Sequence, residues 1–233
     1  MLLFGISLAP IIFIVSFIYL KDKYQREPLI HLVISFLLGA VMIIPAIFGE
    51  LFFDKLGLIK GGEWWVTLFE CMIGIALIEE LVKYIVLRFY IYPRKDFDEP
   101  FDGIVYAVTI SMGFAAIENI MYVFGNGGIQ TGILRMFTAV PGHAMFGVLM
   151  GYFVGLSKFS GHRGKSFFLR MFGLVAAIIP HGLYDFFLFR TNKVAWFVIM
   201  AILVLIIGIY LSFKAMRIHQ NNSPFMSKEP EVS

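Results

Sequence analysis

Apolar runs long enough to cross a bilayer recur from one end of this 233-residue chain to the other. A membrane-spanning helix needs about 20 such residues. Seven runs qualify as candidates, at 2–20, 29–53, 66–87, 103–124, 133–156, 171–189 and 194–213. In hydrocarbon the backbone must satisfy its own hydrogen bonds, so each run is expected to be helical. Hydrophobic residues make up 59% of the chain and charged residues 15%, well short of the roughly 25% charged residues of a soluble domain. That balance excludes a soluble globule, a disordered chain and a secreted disulfide scaffold. The single cysteine, Cys71, has no internal partner. The longest connections, 54–65, 88–102 and 157–170, are too short to hold a soluble domain. The expected fold is an all-α polytopic membrane helix bundle of about seven spans. It forms one integral membrane domain over 1–213, followed by a polar tail, 214–233.

The net charge of +3 is small, and the basic residues cluster between spans. They read as topology signals rather than as a nucleic-acid surface. Lys21, Lys23, Arg26, Arg88, Arg94, Lys95, Lys158, Arg163, Lys165, Arg170, Lys214, Arg217 and Lys228 fall on one side, thirteen in all. Lys55, Lys60, Arg135, Arg190 and Lys193 fall on the other. The bias places the N-terminus outside and the C-terminus in the cytoplasm. Residues 1–20 carry no Lys or Arg, so the first span is expected to be retained rather than cleaved as a signal peptide. Pro45, Pro141 and Pro180 interrupt apolar runs and are expected to kink them. Gly147, Gly151 and Gly155 form a small-residue stripe suited to close helix packing.

Charge at membrane depth is costly and marks a functional path or site. Here it is confined to spans three to six. Span three carries Glu79, Glu80 and Lys83, span four Glu118 and Asn119, span five His143, and span six His181 and Asp185. Span two has only His31 and Glu50, near its ends. At ~1.5 Å per residue, Glu79 lies about 20 Å from the outer end of its span, and His143 and His181 each about 15 Å into theirs. Overlapping depths on four helices suggest one cavity. Glu79 and Lys83 are four residues apart and share a helix face, as do His181 and Asp185. Each pair alone could be a packing feature; together they would require several separate buried polar networks.

Known hydrolytic patterns narrow the chemistry. There is no His-Glu-x-x-His zinc motif, and no Gly-x-Ser-x-Gly surrounds Ser111. Cys71 has no neighbouring base in the sequence, and Asp185 has no second intramembrane aspartate. Glutamate with histidine and a water nucleophile remains. One of Glu79 and Glu80 would take a proton from water, and the other, with Lys83, would set its charge. His181, oriented by Asp185, and His143 would stabilise the oxyanion or protonate the leaving amine, with Asn119 a further possible donor.

The set Glu79-Glu80-x-x-Lys83, Phe114-x-x-x-Glu118-Asn119, His143 and His181-x-x-x-Asp185 resembles the PrsW family of bacterial membrane proteases. That family is related to the CAAX prenyl-protease and bacteriocin-processing superfamily. Tyr19-Leu20-Lys21-Asp22, Phe97-Asp98-Glu99 and Tyr106 after Asp102-Gly103-Ile104-Val105 extend the resemblance over nearly the whole chain. It implies a multi-pass protein of the bacterial cell membrane that makes the first, site-1-like cut in a single-pass membrane anti-sigma factor. That cut starts regulated intramembrane proteolysis and frees a sigma factor. The resemblance matches Glu79 and Glu80 to the family's catalytic glutamates. It matches His143, His181 and Asp185 to its other polar positions. Glu118 stands where the CAAX relatives have histidine, so their mechanism does not transfer unchanged.

Three rival readings use the same residues. A proton-coupled transporter or channel also employs buried Glu, Asp and His, although no internal repeat is evident. A zinc enzyme would use these ligand types, although no cofactor is expected from the motifs. A membrane scaffold would merely pack them. The expected partners are the bilayer and a membrane-anchored protein substrate, with no nucleic acid. The sequence does not set the oligomeric state.

Overall fold

The computed structural model describes residues 1–56, 63–191 and 195–226. Lys60, Lys193, Lys228 and the end of the tail, all used in the charge argument, lie outside the described residues. Among the described residues all regular structure is helical: α1 Leu2–Lys21, α2 Leu29–Val41, α3 Ile43–Lys55, α4 Trp64–Phe69, α5 Leu77–Val86, α6 Pro100–Tyr122, α7 Gly128–Phe137, α8 Ala139–Lys158, α9 Arg163–Arg190 and α10 Phe197–Asn221. A π-helical stretch, Glu70–Ala76, joins α4 to α5 and a second, Leu87–Ile91, extends α5, making one helical rod over 64–91; a third, Val123–Gly127, extends α6.

Among the described residues, six helices or helix pairs are long and apolar enough to cross a membrane. The rod over 64–91 coincides with the third expected span, the one that carries Glu79, Glu80 and Lys83. The all-α polytopic bundle is therefore as expected, with three adjustments. Spans two and five are each broken, at Met42 and Thr138. Pro45 and Pro141 consequently sit third in α3 and α8, where a helix has no partner for the missing N–H. They start helices rather than kink them; only Pro180 lies inside a continuous helix among the three. The stretch expected as loop 157–170 is mostly the first turns of α9, and the last helix runs on to Asn221.

α6 is the hub. It starts on Pro100, and the Asp102 carboxylate accepts the N–H groups of Asp98 and Glu99, both at 2.8 Å. Those bonds satisfy donors that a helix N-terminus leaves free. Nearly all of its side chains up to Ala116 are buried. Glycines let its neighbours approach backbone to backbone. A Cβ on Gly113 would overlap the Phe36 carbonyl of α2, and one on Gly151 would overlap the Gly103 carbonyl. Gly113→Ala is therefore expected to cost ~1–3 kcal/mol, because a backbone carbonyl cannot swing aside. Gly5→Ala, with nothing within 4 Å, should leave the thermal midpoint in detergent unchanged.

The connections over 22–28 and 92–99, the end of α8 and the C-terminal turns meet at one end of the bundle. Gln25 donates to Asp98 at 2.8 Å, Lys158 to the Tyr92 and Arg94 carbonyls, Gln220 to the Lys21 carbonyl, and Ser223 to Glu99. Tyr106 donates to Glu27 there. Burial, aided by the nearby Glu99 charge, pushes the Asp22 carboxyl up to about 7, and burial pushes Glu27 up to about 7 as well. A separate apolar cavity of about 640 Å³ lies between α1, α8 and α10, walled by residues such as Phe17, Met145 and Phe213. It has no ionisable lining and so no evident chemistry.

Candidate active site

The π-helical stretch Glu70–Ala76 ends directly before Leu77-Ile78-Glu79-Glu80. A π-turn widens the helix and re-aims the side chains that follow it. α9 packs closely on this stretch through Gly182, where a Cβ would come 2.6 Å from Met72 Sδ. That approach brings His181 to the glutamates.

Lys83 is the centre of the cluster. Its Nζ donates to Glu79 Oε2 at 3.0 Å, to Glu80 Oε1 at 2.8 Å and to His143 Nδ1 at 3.3 Å. Three acceptors match the three hydrogens of an ammonium group. The fourth side faces the Phe114 ring, 4.1 Å from its centroid. Lysine has no acceptor atom, so His143 Nδ1 must be unprotonated. The neutral ring then carries its proton on Nε2 and donates to Glu118 Oε2 at 2.7 Å. His181 Nδ1 lies 2.9 Å from Glu80 Oε1, and its Nε2 lies 3.3 Å from Asp185 Oδ2 and 4.0 Å from Glu79 Oε2. With both carboxylates ionised, only an imidazolium can donate to Glu80 and Asp185 together. Phe146 stacks on this ring at 4.5 Å and 10°.

The two adjacent glutamates differ in access. Glu79 lines an open cavity of about 500 Å³, shared with Glu118, Arg135, His143, His181, Tyr184 and Asp185. Glu80 is fully buried behind it, with Oε2 unpartnered. The side-chain fork of one ammonium and two carboxylates thus has one member that lines the cavity and one that is sealed from it.

Glu79, Glu80, Lys83, Glu118, His143, His181 and Asp185, all singled out in the sequence, form one connected network. Asn119 joins it from outside. Its Nδ2 donates to the Ser7 carbonyl of α1 at 2.9 Å, and its Oδ1 accepts from Arg135 Nε at 2.8 Å. Its amide braces helices, and Asn119 is fully buried outside the lining of the cavity. Both nitrogens of His143 are also engaged. The orientation of His181 comes from Glu80 as well as from Asp185.

Two further residues of this cavity lie near span ends, where charge is ordinary in a sequence. Arg135 had been counted among loop charges. It donates through Nη2 to Glu118 at 2.7 Å and stacks over Tyr122, 4.1 Å from the ring centroid. Glu50, near a span end, lines the same cavity. Arg135 is the sole Lys or Arg in the run 133–156, and that was the available signal.

Comparisons with known proteins give the family. A profile of the "PrsW family intramembrane metalloprotease" matches residues 27–211. The chain is 37% identical to Protease PrsW of Bacillus subtilis (strain 168) over 183 residues, 78% of this chain and 80% of that one. It is 34% identical to Protease PrsW of Geobacillus kaustophilus over 203 residues, 87% of each chain. Identity to Protease PrsW of Clostridioides difficile is 34% over 227 residues, 95% of this chain and 92% of that one. No solved structure matches significantly.

The family description names a metal, so the donors can be tested against one. Among the described residues one trio, Glu79, Glu80 and His143, brings ligand atoms within 4.8 Å of one another. The Lys83 ammonium contacts one acceptor atom of each of the three, at 2.8 to 3.3 Å. A divalent ion would have to share that place with a fixed positive charge. The trio as folded does not fit a metal. Transport and scaffold readings of the cluster give way to hydrolysis, because the relatives are proteases and the cluster opens on a cavity. The chain belongs to the PrsW family and is a multi-pass membrane peptidase.

Proposed function

We propose that this peptidase makes the first, extracytoplasmic cut in a single-pass membrane anti-sigma factor, using Glu79 as general base without a bound metal. The observation that carries the assignment is the unequal access of the glutamate pair: Glu79 borders the cavity and Glu80 is sealed. Glu79 takes a proton from water as the oxygen attacks the scissile carbonyl. The resulting oxyanion is met by the charge of the His181 imidazolium, whose Nε2–H, shared with Asp185 at rest, turns to it while Glu80 keeps the Nδ1 side of the ring. The C–N bond then breaks, and the proton held by Glu79 passes to the leaving amine. Lys83 keeps Glu79 oriented and balances the pair. Glu80 and Asp185 orient His181. Glu118, Arg135 and His143 fix Lys83 from the far side.

The substrate assignment is tested by co-producing the enzyme with a tagged single-pass anti-sigma factor in a strain lacking its own enzyme. A shortened, membrane-retained fragment that depends on Glu79 supports it. An intact substrate beside cleavage of unrelated single-pass proteins rejects it.

An outer-side cut requires the cavity to open outward, and the thirteen-to-five charge bias gives that orientation. Cys71 is buried, so thiol labelling has little native background. His162→Cys, in the turn before α9, should resist an impermeant thiol reagent in intact cells, and Leu56→Cys should react. The reverse pattern would invert the topology.

A further inference from the structure

The active-site cavity has four carboxylates in its wall, and three have a cationic or histidine partner. Glu79 is held by Lys83, Glu118 by Arg135 and His143, and Asp185 by His181. Glu50 lines the same cavity and has no hydrogen bond or ion pair among the described residues. Its helix, α3, is held at the level of the catalytic pair. Gly49 lies against Ile78, and a Cβ there would come 2.9 Å from Ile78 Cγ2. Ile43, Ile47 and Ile75 make the wall around it apolar. A partly buried carboxylate on such a wall is costly when nothing answers its charge. The charges of the other three are answered by Lys83, Arg135 and His181, so Glu50 is the wall carboxylate left to pair with an incoming basic side chain, which would hold it in its ionised form, whereas an acidic side chain would gain nothing there.

Glu50 stands outside the one trio of donors close enough to hold a metal, and it makes no hydrogen bond to Lys83, His143 or His181. Its place is on the wall, beside the reacting groups. We infer that Glu50 is a specificity residue that receives the Lys or Arg side chain of a substrate residue flanking the scissile bond. The inference rests on this cavity being where the peptide is cut.

The test uses a library of single-pass membrane reporters randomised in the residues flanking the outer end of the membrane segment. The library is co-produced with the full-length wild-type enzyme, Glu50→Gln or Glu50→Lys, and the cleaved reporters are sequenced. The wild type should enrich Lys or Arg over Glu about 10-fold or more at one fixed position, the scale expected for a matched charge pair in a partly dry site. Glu50→Gln should flatten that preference, and Glu50→Lys should turn it toward Asp or Glu at the same position. Absence of basic enrichment in the wild type, or the same enrichment in both variants, would overturn the inference. Glu79→Gln separates the two readings. If it still cleaves with the basic preference intact, the base assignment fails while the role of Glu50 stands.

Discussion

Glu79→Gln is expected to abolish cleavage while leaving protein level and membrane insertion unchanged. The amide keeps the volume of the side chain and can still meet the Lys83 ammonium through its oxygen, which sits 3.0 Å away in the native pair. What it lacks is the capacity to take a proton from water. Loss of a general base typically costs about 10²–10⁴-fold, and loss of the positioned water adds to that. Glu80→Gln should be milder in rate, because Glu80 is sealed from the cavity and acts through Lys83 and His181. Asp185→Asn should also be partial, since Glu80 continues to hold the other side of the His181 ring. Rates on one anchored reporter, normalised to enzyme in the membrane, decide the order. Equal losses for Glu79→Gln and Glu80→Gln would remove the basis for choosing between them.

Lys83→Met should unfold or gravely weaken the protein as well as silence it. The ammonium is 1% exposed and makes three hydrogen bonds to Glu79, Glu80 and His143. Removing one partner of a buried ion pair leaves an uncompensated charge and costs about 3–5 kcal/mol. Glu80 is the carboxylate most affected by the change, because it has no exposure to water and keeps His181 alone as a partner. Adding Glu80→Gln should therefore restore part of the thermal stability lost in Lys83→Met, without restoring cleavage. The two changes are coupled by a direct bond, so their effects should be clearly non-additive in a double-mutant cycle. Simple additivity of the two thermal shifts would show that the bond contributes little.

Much of the centre was legible because membrane depth makes charge conspicuous. Glu79, Glu80 and Lys83 stand out in an apolar run, and their spacing places acid and base on one helix face. His181 and Asp185 are legible for the same reason. Distance from mid-span hid the remainder. Arg135 and Glu50 lie near span ends, where charge is ordinary, and only tertiary packing turns them into the cavity. The role of Asn119 could not be read from its position after Glu118, since its partner is the Ser7 carbonyl, 112 residues away. The early start of α9 was masked by Arg163, Lys165 and Arg170, which look like loop charges. Arg170 instead reaches the Tyr92 hydroxyl at 3.1 Å, so its helix continues while its charge leaves the apolar layer. The breaks at Met42 and Thr138 were displaced from the prolines because Pro45 and Pro141 are compatible with a first turn.

The central claim is that the cation serving the glutamate pair is the chain's own Lys83 and not a metal. It is tested by measuring cleavage of an anchored reporter by the purified enzyme after exhaustive chelation, alongside the metal content of the same sample. The account predicts full activity with metal far below one equivalent per chain. Activity lost on chelation and recovered on adding zinc, in proportion to zinc bound, would contradict it, and would recast Glu79, Glu80 and His143 as ligands that Lys83 must leave.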